Sequence, residues 1–254
     1  MNKTVLITGA SSGLGKDFAT LFAEKGYDLV LTARRKKNLE EISNNLINQF
    51  GIKAYIISCD LSDLKSTEEI YNFCEENKIQ INVLVNNAGY GLTDSFEKIS
   101  LSDHIDFINV LSTSAIALTR LFLPGMIKRK FGRIINVSSV AAFAPFTNSG
   151  GMYIATKLML LKFSEMIHID YKKKNIFSCS VCPGFTHTEF HNDMKEFKSS
   201  IPSFMWMESR TVVEQAYEAS MSGKEIIING WRYKILVFFM KITPKWLVKL
   251  LSGR

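Results

Sequence analysis

The chain has 254 residues, 46% hydrophobic and 22% charged, which suits one large α/β domain with an ample core better than two small domains. Its formal charge of +7 invites a nucleic-acid reading. The basic clusters Arg34-Arg35-Lys36-Lys37, Lys128-Arg129-Lys130 and Lys172-Lys173-Lys174 instead fall at expected element ends, with no base-reading motif, so nucleic acid is excluded as a partner.

In chain order, short apolar runs predict strands at 4–8, 28–33, 54–58, 83–86, 133–138, 177–182 and 225–228. Amphipathic stretches near 14–25, 36–49, 64–77, 103–129, 152–172 and 211–221 predict the helices between them. Strands this short and this continuously apolar belong to a parallel sheet covered on both faces. The fold expected is α/β, a single doubly wound Rossmann domain spanning 1–254, with about seven parallel strands and ligands at their carboxyl ends. The N-terminus enters a predicted strand by residue 3, which leaves no room for a signal peptide.

Two segments break the alternation. Residues 187–210 carry Phe190, Phe197, Phe204, Met205, Trp206 and Met207 and read as a lid over an apolar substrate, or as a short helical pair closing the core. The tail 231–254 is apolar and basic, with Pro244 dividing two short amphipathic stretches, each far short of the ~20 residues needed to span a bilayer. Docking against a second copy, packing on the protein's own surface and peripheral membrane contact all suit it.

Cys59, Cys74, Cys179 and Cys182 form no C-x-x-C pair beside a spaced histidine and read as buried, reduced thiols of a cytoplasmic protein. His187 and His191 stand four apart without a third ligand, so no metal site is expected.

The first predicted strand runs directly into Gly9-x-x-x-Gly13-x-Gly15. Glycines there permit a tight turn and close backbone approach, and a helix beginning near Leu14 offers unpaired N–H groups to a pyrophosphate. The loop is not of the Walker A type, because Lys16 is followed by Asp17. After the second strand come Arg34 and Arg35 where a site for NAD presents an acid to the ribose. An arginine fork, with hydroxyls from Ser11 and Ser12, suits a 2′-phosphate, so NADP(H) is the expected cofactor.

Tyr153 and Lys157 stand one turn apart on a predicted helix and share a face. A free tyrosine, with a pKa near ~10, is a poor proton shuttle at neutral pH; a neighbouring ammonium, and a nicotinamide carrying positive charge when oxidised, should lower that value. Ser139 ends the I-I-N-V-S-S run and is placed to bond a substrate oxygen, and Asn109 in F-I-N-V to hold a water behind Lys157.

Together these pieces resemble the short-chain dehydrogenase/reductase family over nearly the whole chain: T-G-A-S-S-G-L-G at 8–15, C-D-L at 59–61, N-N-A-G at 86–89, Asn109, Ser139, Tyr153-x-x-x-Lys157 and P-G-F-T-H-T at 183–188. The resemblance implies a catalytic tetrad of Asn109, Ser139, Tyr153 and Lys157. It also implies cofactor contacts from Gly9, Ser11, Ser12, Gly13, Leu14, Gly15 and Arg34, from Asp60 and Leu61 at the adenine, from Asn87, Ala88 and Gly89 on the adenosine side, and from Tyr153 and Lys157, the lysine at the ribose hydroxyls. Pro183, Gly184, Thr186 and Thr188 would serve the nicotinamide and diphosphate. The expected activity is hydride transfer between NADP(H) and a hydrophobic carbonyl or alcohol in the manner of ketoacyl and hydroxysteroid reductases, by a homodimer or homotetramer. The alternative is an NADP(H)-binding regulatory or membrane-surface protein without turnover. The I-I-I-N-G-W-R-Y run replaces the family's usual V-D-G-G, so its four-subunit assembly through the last strand does not carry over directly.

Overall fold

In the computed structural model, which describes residues 3–92, 94–144, 152–191 and 201–243, seven strands form one parallel sheet in the order β3-β2-β1-β4-β5-β6-β7. They are β1 Thr4–Thr8, β2 Asp28–Ala33, β3 Ala54–Ser58, β4 Ile81–Asn86, β5 Gly132–Val137, β6 Ile176–Cys182 and β7 Ile226–Ile228. Alternating side chains feed two cores. Val5, Ile7, Leu29 and Leu31 meet Phe18, Phe22, Leu39 and Val212 on one face; Leu6, Val30, Leu84 and Ile134 meet Ile70, Leu118, Phe122 and Met126 on the other. The helices supplying these layers are α1 Gly13–Glu24, α2 Lys36–Phe50, α3 Lys65–Glu76, α4 Leu101–Ile108, α5 Ser114–Arg129, α6 Tyr153–Tyr171, α7 Ser209–Met221 and α8 Trp231–Ile242.

The strands and most helices begin and end within two residues of their expected positions. The helix expected over 103–129 is interrupted: a π-helical turn, Asn109–Thr113, separates α4 from α5. Such a turn inserts one extra residue and rotates the helix beyond it. Here the turn directs Ser112 inward, where its hydroxyl donates to the Thr156 carbonyl of α6 at 3.0 Å. By length and composition the run Leu101–Arg129 would suit a membrane crossing, yet half of its most apolar window is buried. Leu118, Phe122 and Met126 place it in the core.

A buried polar ladder crosses the sheet beneath α6. Asn86 Nδ2 donates to Asn136 Oδ1 at 2.8 Å, Asn136 Nδ2 to Ser178 Oγ at 3.2 Å, and Ser178 Oγ shares a 2.7 Å bond with Ser164 Oγ. Each pairing satisfies groups that would otherwise be costly to bury, and it sets the rotation of α6 on the sheet. Of the two helices expected in the tail, α8 covers the first; the second, over 244–254, lies outside the described residues, as do 192–200 of the expected lid.

All four cysteines are free; Cys74, Cys179 and Cys182 are buried and Cys59 is half-buried. Burial pushes the three buried thiols up to about 12 from 9.0. They should therefore resist alkylation near pH 8 in the native protein, with any adduct confined to Cys59, whereas urea should expose all four to modification counted by mass spectrometry. Between about pH 9 and 12 the unfolded chain releases thiol protons that the fold retains. Their contribution to stability should be complete below pH 9 and decline toward pH 12, as urea midpoints would show.

Candidate active site

The sheet reverses its winding between β1 and β4, and the carboxyl ends of these strands open a crevice. Gly9 (φ +66°) and Gly13 (φ +51°) adopt the left-handed conformation needed to turn the chain from β1 into α1. A Cβ on Gly9 would stand 2.9 Å from Ala88 Cα, and one on Gly15 would land on the Gly9 carbonyl. Asn87 fastens the turn, its Nδ2 donating to the carbonyls of Thr8 (2.9 Å) and Gly9 (3.3 Å). In return, Thr8 Oγ1 accepts from the N–H groups of Asn87 and Ala88 at 2.9 and 3.0 Å. Ser12 precedes α1 without a side-chain cap, which leaves first-turn N–H groups for a ligand.

Two connected cavities occupy the crevice. The smaller, about 190 Å³, is bounded by Ser11, Arg34, Arg35, Asp60, Leu61 and Ala88. The larger, about 840 Å³, extends past Gly13, Leu14 and Asn87 to Ser139, Tyr153 and Lys157. Gly9, Ser12, Arg34, Gly89 and Tyr90 border both. Arg34 Nη1 lies 3.8 Å from Asp60 Oδ2 and its side chain is 69% exposed, so this pair holds it only weakly. Arg35 is better tied: Nε donates to Ser11 Oγ at 3.2 Å and Nη1 to Glu189 Oε2 at 3.0 Å.

At the other end, Ser139 follows β5 and its Oγ accepts from the Ala141 N–H at 3.1 Å. Tyr153 opens α6 and Lys157 sits one turn on. The Lys157 ammonium is buried, donates to the Val137 carbonyl at 2.8 Å and stands 5.7 Å from the centre of the Tyr153 ring. Ser138 Oγ donates to the Lys157 carbonyl at 2.8 Å, which ties this turn of α6 to β5.

The electrostatics correct one expectation. Burial raises the Tyr153 phenol above its ordinary value, and the Ser139 hydrogen bond pulls it part of the way back. Burial likewise brings Lys157 down to about 8 from 10.5. Tyr153 keeps an edge open to the cavity, but dense protein surrounds both groups, and desolvation outweighs their mutual effect.

Asn109 Nδ2 donates to the Ser62 carbonyl at 3.0 Å, fastening the loop after β3 to the start of the π-turn. Asn109 borders neither cavity. Gly15 also stays outside, acting through its contact with Gly9; every other residue expected at the site lines one cavity or both.

The segment after β6 forms the roof. Pro183, Gly184, Thr186 and Thr188 line the larger cavity, and Thr188 approaches α1 so closely that a Cβ on Gly13 would meet it at 3.2 Å. A short bridge pairs Thr186 with Met207 and closes the base of the 187–210 excursion. Within that excursion Phe190 faces the cavity, its ring 5.9 Å from that of Tyr153. Trp206 instead stacks on His187 at 5.1 Å, and Phe204 is exposed. Of the 187–210 excursion, the described residues thus give Phe190 at the cavity and a bridge at the base; Phe197 lies outside the described residues.

The far wall had no motif to announce it. It comes from α8, through Tyr233, Leu236 and Met240. The Tyr233 hydroxyl donates to the Met205 carbonyl at 2.7 Å and accepts from the Phe185 N–H at 2.9 Å. Its ring occupies the space a side chain at Gly184 would fill. Among the described residues, no group of three His, Cys, Asp or Glu could hold a metal ion.

Residues 3–199 match the family described as short chain dehydrogenase. The very-long-chain 3-oxoacyl-CoA reductase of Rattus norvegicus is 32% identical over 98% of this chain and 83% of its own length. The NADP-dependent 3-hydroxy acid dehydrogenase of Schizosaccharomyces pombe is 33% identical, over 79% and 81%. Among solved structures, a short-chain dehydrogenase from Sphingobium yanoikuyae in complex with NADPH superposes with a TM-score of 0.83 at 27% identity, over 95% of this chain and 96% of that one. The chain therefore belongs to the short-chain dehydrogenase family and is an oxidoreductase.

Proposed function

We propose that the protein is an NADP(H)-dependent oxidoreductase acting on the carbonyl or alcohol group of a hydrophobic small molecule. The observation that carries this reading is a single cavity of about 840 Å³ that joins the glycine turn and Arg34 to Ser139, Tyr153 and Lys157. The residues fit a dinucleotide: the cradle would be filled by any Cβ at Gly9 or Gly15, and α1 presents uncapped N–H groups. The 2′-phosphate falls to Arg34 and Arg35, with Ser11 already hydrogen-bonded to the latter. The names of the fission-yeast relative and of the Sphingobium complex support the same choice.

Bound in this cradle, the nicotinamide supplies or accepts the hydride. The chain's own groups handle the oxygen and the proton. In reduction, the Ser139 hydroxyl holds the substrate oxygen and Tyr153 gives it a proton. The protonated Lys157 then stabilises the phenolate that remains, and oxidation runs the same path in reverse. A burial-raised phenol stays protonated at neutral pH, as a proton donor must. Apolar walls from Phe185, Phe190, Leu236 and Met240 favour a hydrophobic substrate, and the acyl substrate in the rat relative's name points the same way. A homo-oligomer is supported by Leu158, Met159, Met166 and Ile169, exposed along one stripe of α6.

The decisive experiment titrates purified protein with NADPH and NADH by nicotinamide fluorescence, then follows NADPH absorbance with a panel of hydrophobic ketones. NADPH-selective binding with turnover upholds the proposal; binding without turnover would favour a regulatory role.

Tyr153→Phe should keep NADPH affinity while losing roughly 10³-fold in rate; equal turnover would remove Tyr153 from its role. Arg34→Ala should weaken NADPH about 10- to 100-fold and leave NADH nearly unchanged, a split read from the two titrations. Lys157→Met should abolish turnover yet raise the stability of the cofactor-free protein at pH 7, because it removes a buried cation. Below about pH 8 the fold bears that desolvation cost in full, and it is shed as pH rises toward 10.5. Urea midpoints of the two proteins should therefore converge across that interval.

A further inference from the structure

We propose that the outer face of α8 docks on an anionic phospholipid bilayer and sets the mouth of the larger cavity against the lipid phase. The second half of this statement rests on reading that cavity as the substrate site; the first does not. α8 is apolar on two sides. Inward, Tyr233 and Val237 are buried, at 2% and 1% exposure, and Leu236 and Met240 line the cavity. Outward, Trp231, Ile235, Phe238, Phe239 and Ile242 follow one another at the i, i+4, i+7, i+8, i+11 spacing of a single helical stripe. All five are between 49% and 64% exposed. Phe204 extends the stripe, since the Arg232 guanidinium lies over both the Trp231 and Phe204 rings, at 4.9 and 5.7 Å. A helix of a water-soluble fold normally exposes its polar side, so an apolar stripe on the outer side of α8 calls for a partner.

Charge selects the partner. The charged residues of α8 are Arg232, Lys234 and Lys241, all cationic, and they flank the apolar stripe along the helix. A two-fold contact between copies of this face would set one cationic rim against another. An anionic headgroup layer accepts the rim, while the aromatic stripe enters the acyl boundary. The position of the helix gives docking a purpose. Leu236, at 36% exposure, belongs both to the cavity wall and to the surface, so a lipophilic substrate would pass from bilayer to cavity along one helix.

The test is co-sedimentation of the 254-residue chain with vesicles of phosphatidylcholine alone or with about one-third phosphatidylglycerol. Binding is expected only to the anionic vesicles and should weaken as salt rises. Phe238→Ser combined with Phe239→Ser should reduce it at least tenfold, and Arg232→Glu combined with Lys241→Glu similarly. NADPH fluorescence titration of each variant shows that the fold and cofactor site persist, separating failure of docking from failure of the proposed enzyme activity. No binding to anionic vesicles would overturn the proposal. Binding that survives both double substitutions would overturn it too, assigning the contact to other residues such as 244–254. A drop in oligomer size by light scattering in the serine variant, without vesicle binding by the parent protein, would identify a second copy as the occupant.

Discussion

The hydrogen bonds that Asn87 sends to the carbonyls of Thr8 and Gly9 hold together the point on which the rest of the site depends. In a doubly wound sheet the chain moves outward from β1 on one side and from β4 on the other, so a gap opens just beyond their last pairing, Ile7 with Val85. Asn87 and Thr8 close it by exchanging side-chain and backbone bonds across the gap. Once the two backbones are drawn together, Gly9 and Gly15 have no room for a Cβ. The direction of α1 and the uncapped amides at its start result from that approach. So does the alignment of the β2 end, where Ala10 N–H donates to the Thr32 carbonyl at 3.1 Å just before the two arginines.

The reactive end is held differently, by polar groups inside the fold. The Asn86, Asn136, Ser178 and Ser164 ladder and the Ser112 and Ser138 bonds fix α6 in rotation and along its axis. Lys157 then has a defined place, at the cost of burying an ammonium with the Val137 carbonyl as its protein partner. Two continuous apolar cores offset that cost. Burial shifts both the lysine and the tyrosine from their ordinary values, so the fold bears an electrostatic cost at this end of the cavity.

How much of this could be read in advance varied with the range of the interactions. Strand and helix positions follow from local periodicity, and the glycine turn, Ser139 and the Tyr153–Lys157 spacing are short patterns whose chemistry is legible in place. Asn109 was harder. Its motif marks it, but the π-turn and the Ser62 carbonyl 47 residues earlier decide where its amide points. The bond from Arg35 to Glu189 spans 154 residues, and that from Tyr233 to Met205 joins two segments without a motif. The sign of the Tyr153 shift depended on packing density, which spacing does not report.

Tyr233 also divides the site into two parts that can vary separately. The cradle comes from β1 through β4 and the residues just after, whereas the wall of Tyr233, Leu236 and Met240 follows β7. A change that shifts α8 would therefore reshape the side of the cavity beside Gly184 and leave the Asn87 and Thr8 bonds of the cradle in place.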